Sequence, residues 1–156
     1  MIHIVVAIGK NNEIGGNNKM LWYNSEELKF FRRLTINHKI IMGKNTYLSI
    51  GRPLDLRENI VISTSIEKDK NITVIRDINE ILEKYLNSEE IVYVIGGESI
   101  YKQFLKYAEK IYVSKIDEDF PNADRYFPKI GYDEFFIEEF KYNTFTLNTY
   151  TRRNNE

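Results

Sequence analysis

Glu90-Ile91-Val92-Tyr93-Val94-Ile95-Gly96-Gly97-Glu98-Ser99-Ile100-Tyr101 is the stretch whose reading decides the fold. The apolar run from Glu90 to Ile95 suits a buried strand, and two glycines end it. A helix is expected from Ser99 to Tyr107. Strand, glycine turn and helix together form the repeating unit of a parallel α/β sheet. The same order appears where the β-branched run Ile2 to Ile8 stops at Gly9, and where Lys39 to Met42 stops at Gly43. Further strands are expected at Asn59 to Ser63, Asn71 to Ile75 and Lys110 to Ile116. Helices are expected at Ser25 to Thr35, Lys44 to Ile50 and Ile78 to Leu86. The first of these is capped by Asn24 or Ser25, with Leu28, Phe31 and Leu34 on its apolar face. Glu134 to Tyr142 and Thr144 to Thr151, parted by Asn143, read as a closing hairpin. The expected fold is therefore α/β, with a mostly parallel twisted sheet of about eight strands, a C-terminal antiparallel hairpin and about four flanking helices. Gly9 to Asn18, rich in Gly and Asn, is expected as a long loop of the kind that carries function.

The 156 residues contain no repeat and no low-complexity linker, so a single domain over 1–156 is expected. Lys and Arg number 22 against 23 acidic residues, and a net charge of -1 provides no overall field for nucleic acid. The absence of cysteine excludes disulfides, thiolate metal sites and thiol nucleophiles. His3 and His38 are the only histidines, which argues against a histidine-built zinc site, and no metal is expected. The first apolar run is too short to span a bilayer and lacks the flanks of a signal peptide, so the cytoplasm is the expected location.

Open parallel sheets bind ligands at the carboxyl ends of their strands, which directs attention to Gly9, Gly43 and Gly96. Gly96-Gly97 admits close approach of a phosphate, or simply makes a tight turn; it is not the G-x-G-x-x-G fingerprint. Gly43-Lys44-Asn45-Thr46 sets a cation and a hydroxyl at a helix start, as a binding loop or as a solvated lysine and a cap. Glu26 and Glu27 lie in a first helical turn, with capping-box spacing from Asn24 to Glu27. Glu27 borders the apolar face, whereas Glu26 aligns with Phe30 and is read as the solvated partner. A carboxylate among Leu28 and Phe31 needs a cation or hydrogen-bond donors to be buried. Taken singly, Trp22 reads as a core plug, Arg57 as solvated, and Ser63-Thr64-Ser65 as a turn. Asp117, Glu118 and Asp119 read as a solvated acidic turn.

In order along the chain, these segments resemble dihydrofolate reductase. The resemblance rests on Val5-Val6-Ala7, Ile14-Gly15, Met20-Leu21-Trp22, Glu27-Leu28 with Phe31, and Ile41 through Thr46. It continues through Ser49-Ile50-Gly51-Arg52-Pro53-Leu54, Arg57-Glu58-Asn59, Val94-Ile95-Gly96-Gly97, Tyr101 and the closing strand to Thr151. It implies NADPH-dependent hydride transfer to C6 of 7,8-dihydrofolate with protonation at N5, giving tetrahydrofolate for one-carbon metabolism. It assigns Glu27 to the pterin's N3 and 2-amino edge, supported by Ser114, with Trp22 beside the reacting groups. Val5, Ala7, Leu28, Phe31, Ile50, Leu54 and Ile95 become apolar walls, and Arg57 the contact to the substrate's α-carboxylate. Ala7, Ile14 and Tyr101 are placed with the nicotinamide, Thr46, Gly96 and Gly97 with the phosphates, and Gly15, Gly43, Asn45, Ile95 and Ser99 also fall to the cofactor. Lys44, Ser63, Thr64 and Arg76 fall to the 2′-phosphate. The family holds the Gly96–Gly97 peptide cis and uses the segment from Gly9 to Tyr23 as a lid. The implied partners are dihydrofolate and antifolate inhibitors, the implied state a monomer.

Three positions depart from the family pattern. Leu21 and Ser25 stand where prolines are usual, and Glu98-Ser99 follows the glycines where a basic residue is common. Two other readings compete: a reductase of related fold acting on a pyrimidine intermediate of riboflavin synthesis, and a non-enzymatic module that binds NADPH or folate. Glu27, Phe31 and Arg57 suit a pterin with a benzoylglutamate tail and oppose the first. Turnover would separate the second.

Overall fold

In the computed structural model, residues 1–17 and 19–154 are described. Strand β1 (Ile2–Ile8) lies inside an eight-stranded sheet, and its alternation divides the core. Ile2, Ile4, Val6 and Ile8 point to one face, where they pack with Ile81 and Tyr85 of α3 (Ile78–Tyr85) and Ile100, Tyr101 and Phe104 of α4 (Glu98–Phe104). Val5 points to the other face, toward Phe31 and Leu34 of α1 (Ser25–Thr35) and Ile50 of α2 (Lys44–Ile50). Burying a side chain of this size contributes about 1.5–3 kcal/mol, so a strand covered on both faces dominates the local energetics.

The remaining strands are β2 (Glu13–Gly15), β3 (Lys39–Gly43), β4 (Glu58–Ile62), β5 (Thr73–Ile75), β6 (Val92–Gly96), β7 (Lys110–Lys115), β8 (Arg125–Tyr126), β9 (Phe135–Lys141) and β10 (Thr146–Arg152). The large sheet runs β5-β4-β3-β6-β1-β7-β10-β9. Its first six strands are parallel; β10 runs antiparallel to β7 and to β9, as the hairpin reading required. At the outer edge, β9 leaves Phe136, Ile137 and Phe140 exposed.

Two expectations need correction. The segment beginning at Gly9 is not one long loop, because β2 lies inside it and pairs antiparallel with β8 in a small second sheet. A three-residue strand is too short to show a period, and its partner is more than a hundred residues away. Glu26 stays at the surface as read, but the side of α1 that it shares with Phe30 is not open to solvent. Phe30 is buried, its ring centroid 6.0 Å from that of Tyr142 and 6.1 Å from that of Phe145. One turn earlier, Glu26 accepts hydrogen bonds of 2.7 Å from both the backbone N–H and the hydroxyl of Thr144. The β9–β10 connection folds down onto α1, so this helix has two covered faces where a single stripe was expected.

Candidate active site

A crevice opens where β1 and β6 part. Their pairing runs from Ile2↔Val92 to Ile4↔Val94 and stops, while β6 shifts register against β3 to set Met42 opposite Gly96. The Val5 carbonyl accepts a hydrogen bond of 2.8 Å from the Tyr101 hydroxyl. Burial pushes that hydroxyl's pKa strongly upward, and nearby Glu27 adds to the shift, so Tyr101 stays a donor. Gly96 has φ 138°, a conformation a side chain disfavours, and the Gly96–Gly97 peptide is cis. A Cβ on either glycine would stand 3.2 Å from Thr46 Oγ1. The turn after β6 and the first turn of α2, far apart in sequence, therefore meet at Thr46.

Asn24 caps α1 by accepting a 3.0 Å hydrogen bond from the Glu27 N–H. That cap aims Glu27 at the sheet, where the residue is 4% exposed. Burial raises its carboxyl pKa to about 7, partly opposed by the nearby Ser114 hydroxyl. Ser114 lies opposite Ala7 on the adjoining strand and is fully buried. Its Oγ completes no full hydrogen bond with a protein group, and neither does the indole Nε1 of Trp22. Among the described residues no cation pairs with Glu27. A buried carboxyl without a counterion, beside an unsatisfied hydroxyl, is costly unless an incoming ligand supplies donors.

Around this group the structure brings together the expected apolar residues. Phe31, Ile50, Leu54 and Ile95 are half-buried and pack with Val5, and Leu28 is half-buried on α1. Half-burial leaves them able to line a crevice, unlike Phe30. Arg57 closes the far end. Its Nη1 donates to Thr35 Oγ1 at 3.0 Å, its Nε to the Asp55 carbonyl at 2.9 Å, and its guanidinium lies 5.9 Å from the centre of the Phe31 ring. The solvated reading of Arg57 is thus corrected, since its side chain is only 4% exposed. Asn59 holds the backbone of Leu54 with two hydrogen bonds of 2.8 Å. Thr35 was not singled out from sequence and Asn59 only as part of the Arg57-Glu58-Asn59 motif, without a role, because each acts by holding a neighbour.

Lys44, Ser63 and Thr64 also come together. Lys44 Nζ donates to Ser65 Oγ at 2.9 Å, and Thr64 is exposed. Ser63 and Arg76 are more committed than expected. The Ser63 hydroxyl accepts from the N–H groups of Ser65 and Ile66, and one Arg76 nitrogen donates to the carbonyls of Ser63 and Ile66 at 2.8 Å. Both shape this loop, and Lys44 is the more available cation. Asn45 and Ser99 are exposed at the starts of α2 and α4, and Gly43 is buried beneath Ile100.

Ile14 packs at the margin of the core and Gly15 lies against Arg125. Between them and β1 lies a residue that sequence reading missed. Glu13 is 2% exposed, and its carboxylate accepts from the N–H of Asn11 and, at 2.6 Å, from the N–H of Phe120. Burial opposes its ionisation, yet these backbone donors prevail and hold its pKa below the ordinary carboxylate value. The Phe120 ring in turn lies 4.8 Å from Trp22. A hollow of about 440 Å³ lies elsewhere, lined by Ile78, Lys102, Lys106 and Phe135, and contains none of the residues above.

Three comparisons bear on this arrangement. A family model described as dihydrofolate reductase matches residues 1–152. A dihydrofolate reductase of Buchnera aphidicola subsp. Acyrthosiphon pisum is 45% identical over 130 residues, 82% of this chain and 79% of that protein. One from Ureaplasma parvum is 34% identical over 157 residues, 98% of each chain. Among solved structures, a dihydrofolate reductase from Enterococcus faecalis complexed with NADP(H) and RAB-propyl superposes with a TM-score of 0.88. It covers 99% of this chain and 97% of that one at 24% identity, a likeness of fold.

Proposed function

Because the chain belongs to the dihydrofolate reductase family, we propose that it reduces 7,8-dihydrofolate to tetrahydrofolate with NADPH, using Glu27 to hold and orient the pterin. The observation that carries this reading is the Glu27 carboxyl, buried without a counterion beside the unsatisfied Ser114 hydroxyl. A planar ring edge offering two N–H donors satisfies both needs at once, and two parallel hydrogen bonds fix its orientation. Val5, Ala7, Leu28, Phe31, Ile50, Leu54 and Ile95 then enclose the ring system and the benzoyl group. Arg57, already aligned by Thr35 and Asp55, meets the α-carboxylate. Family membership sets aside the pyrimidine reductase.

The cofactor side fits as well. Thr46 Oγ1 faces two glycines whose missing Cβ atoms leave room for a phosphate, with Gly43, Asn45 and Ser99 beside it. Ala7, Ile14, Gly15, Ile95 and Tyr101 border the nicotinamide position. Lys44, with Thr64 and Ser63, would meet a 2′-phosphate, and Arg76 would brace that loop. When bound, NADPH supplies the hydride that C6 of dihydrofolate accepts. No side chain of the crevice is assigned to protonate N5; Glu27 acts there by electrostatics and a water carries the proton.

The chain is proposed to be a single domain over 1–156 and a cytoplasmic monomer. Among the described residues no helix is long and apolar enough to cross a membrane. Size-exclusion chromatography with light scattering checks the monomer. The activity is tested by the loss of NADPH absorbance on adding dihydrofolate. Wild type should turn over, and Glu27→Gln should lower kcat/KM at least about a hundredfold with NADPH affinity kept. Equal loss of both, or no turnover by folded wild type, overturns the assignment.

A further inference from the structure

We infer that Glu13 is a positioning residue, whose carboxylate fixes Phe120 and through it the indole of Trp22 at the edge of the crevice. The inference rests on the site reading above for its kinetic consequence, and on geometry alone for its structural one. Glu13 belongs to the segment leading from β1 toward α1, and Phe120 to the segment leading from β7 to β8. One carboxylate oxygen accepts from the Asn11 N–H and the other from the Phe120 N–H, so a single buried side chain ties two chain segments together. Phe120 then lies 4.8 Å from Trp22, the only tryptophan of the chain.

The surroundings fit a specific requirement for a carboxylate. A Cβ on Gly9 would stand 2.8 Å from Glu13 Oε1 and 2.6 Å from the Phe120 ring, so the end of β1 omits a side chain where these two groups sit. Gly9 also donates its N–H to the Glu13 carbonyl at 3.0 Å, closing the turn around the group. No cation pairs with Glu13 among the described residues; its donors are N–H groups. A carboxylate offers acceptors to both N–H groups. An amide offers one acceptor and confronts the second N–H with its own donors. Beside the tied segments, Asn11 Nδ2 donates to Asp119 at 2.9 Å and Lys10 pairs with Asp117 at 3.5 Å, both on the surface, where such contacts contribute little. Backbone bonds from Lys10 N–H to the Glu118 carbonyl at 2.9 Å and from Phe127 N–H to the Asn12 carbonyl at 2.8 Å, with the β2–β8 pairing, also join these segments. What Glu13 adds is a buried acceptor on Phe120 itself, the residue whose ring meets Trp22.

The test is Glu13→Gln, with Phe120→Leu as a second variant that keeps the carboxylate and removes the ring. Both should shift Trp22 emission in the ligand-free protein, by the same mechanism, and the double variant should add little to either. In single-turnover reduction both should slow the hydride step about tenfold, with the Kd for NADPH changed less than about threefold. Glu13→Asp, which retains two acceptors on a shorter stem, should recover part of the emission change. An unaltered Trp22 spectrum in folded Glu13→Gln overturns the inference, as does a Glu13→Gln effect fully additive with Phe120→Leu. The emission readout needs no turnover. Absence of dihydrofolate reduction by wild type would therefore strike the functional reading, leaving the tie between Glu13 and Trp22 to be judged on the spectrum.

Discussion

Glu27 carries opposite obligations in the empty and the filled crevice, and pH exposes them. Its carboxyl titrates at about 7 in the folded protein against an ordinary 4.5. A raised folded pKa means that the native state keeps a proton the unfolded chain releases. Stability is therefore fully present below about 4.5 and is lost as pH rises toward 7. The gap corresponds to at most about 3 kcal/mol. Glu27→Gln should make the ligand-free protein more stable than wild type at pH 8, with the difference vanishing near pH 4; urea unfolding at both values measures it. A variant no more stable at pH 8 would show that the site does not strain the empty protein. His3 slopes the other way. Buried among Tyr93 and Tyr112, with neither ring nitrogen bonded, it is pushed down to about 4, chiefly by burial and then by Lys110. Its contribution is present above about 6.5 and lost as pH falls toward 4. Removing Glu27 should leave that acid limb visible.

At the scale of elements, α1 presents side chains to both the sheet and the final hairpin. Phe30 is wedged under Tyr142 and Phe145, so Phe30→Ala should cost about 3–5 kcal/mol in urea unfolding. A cost below about 1 kcal/mol would mean that the hairpin rests on Glu26 and Thr144 alone. The start of α2 carries a different prediction. Lys44→Ala should weaken NADPH about tenfold and leave NADH nearly unchanged, as two binding titrations would reveal. Equal effects on both would move the 2′-phosphate contact elsewhere. These elements also show where sequence reading succeeds and fails. Strand, glycine turn and helix announce themselves locally, so Gly43, Gly96 and the ends of α1 were legible from composition and period. Glu27 was singled out because it borders apolar residues. Phe30, Glu13 and Thr35 were missed or misplaced because each is defined by a partner distant along the chain, and Asn59 because it works by bracing the backbone of Leu54 and Arg57 beside it. No local period encodes β2, the fold-down of residues 142–145, or the carbonyl that a buried hydroxyl will meet.

For the molecule as a whole, the sheet is held from its centre outward. β1 and β6 are covered on both faces, and the crevice lies where those two strongest strands separate, so a rigid core frames an opening that its own pairing cannot close. Bound NADPH should raise global stability by about 2.7 kcal/mol at a hundred times its Kd. The outer strand is the counterpart of that protected centre. β9 turns Phe136, Ile137 and Phe140 to water along an edge with unpaired backbone, and between them stand Glu138 and Glu139. Those two carboxylates act as colloidal gatekeepers: like charges on approaching molecules repel before strand can join strand. Replacing both by Gln should leave turnover intact while turbidity rises on warming at neutral pH. On that expectation, two acidic residues remote from the chemistry contribute to the shelf life of this enzyme in concentrated solution.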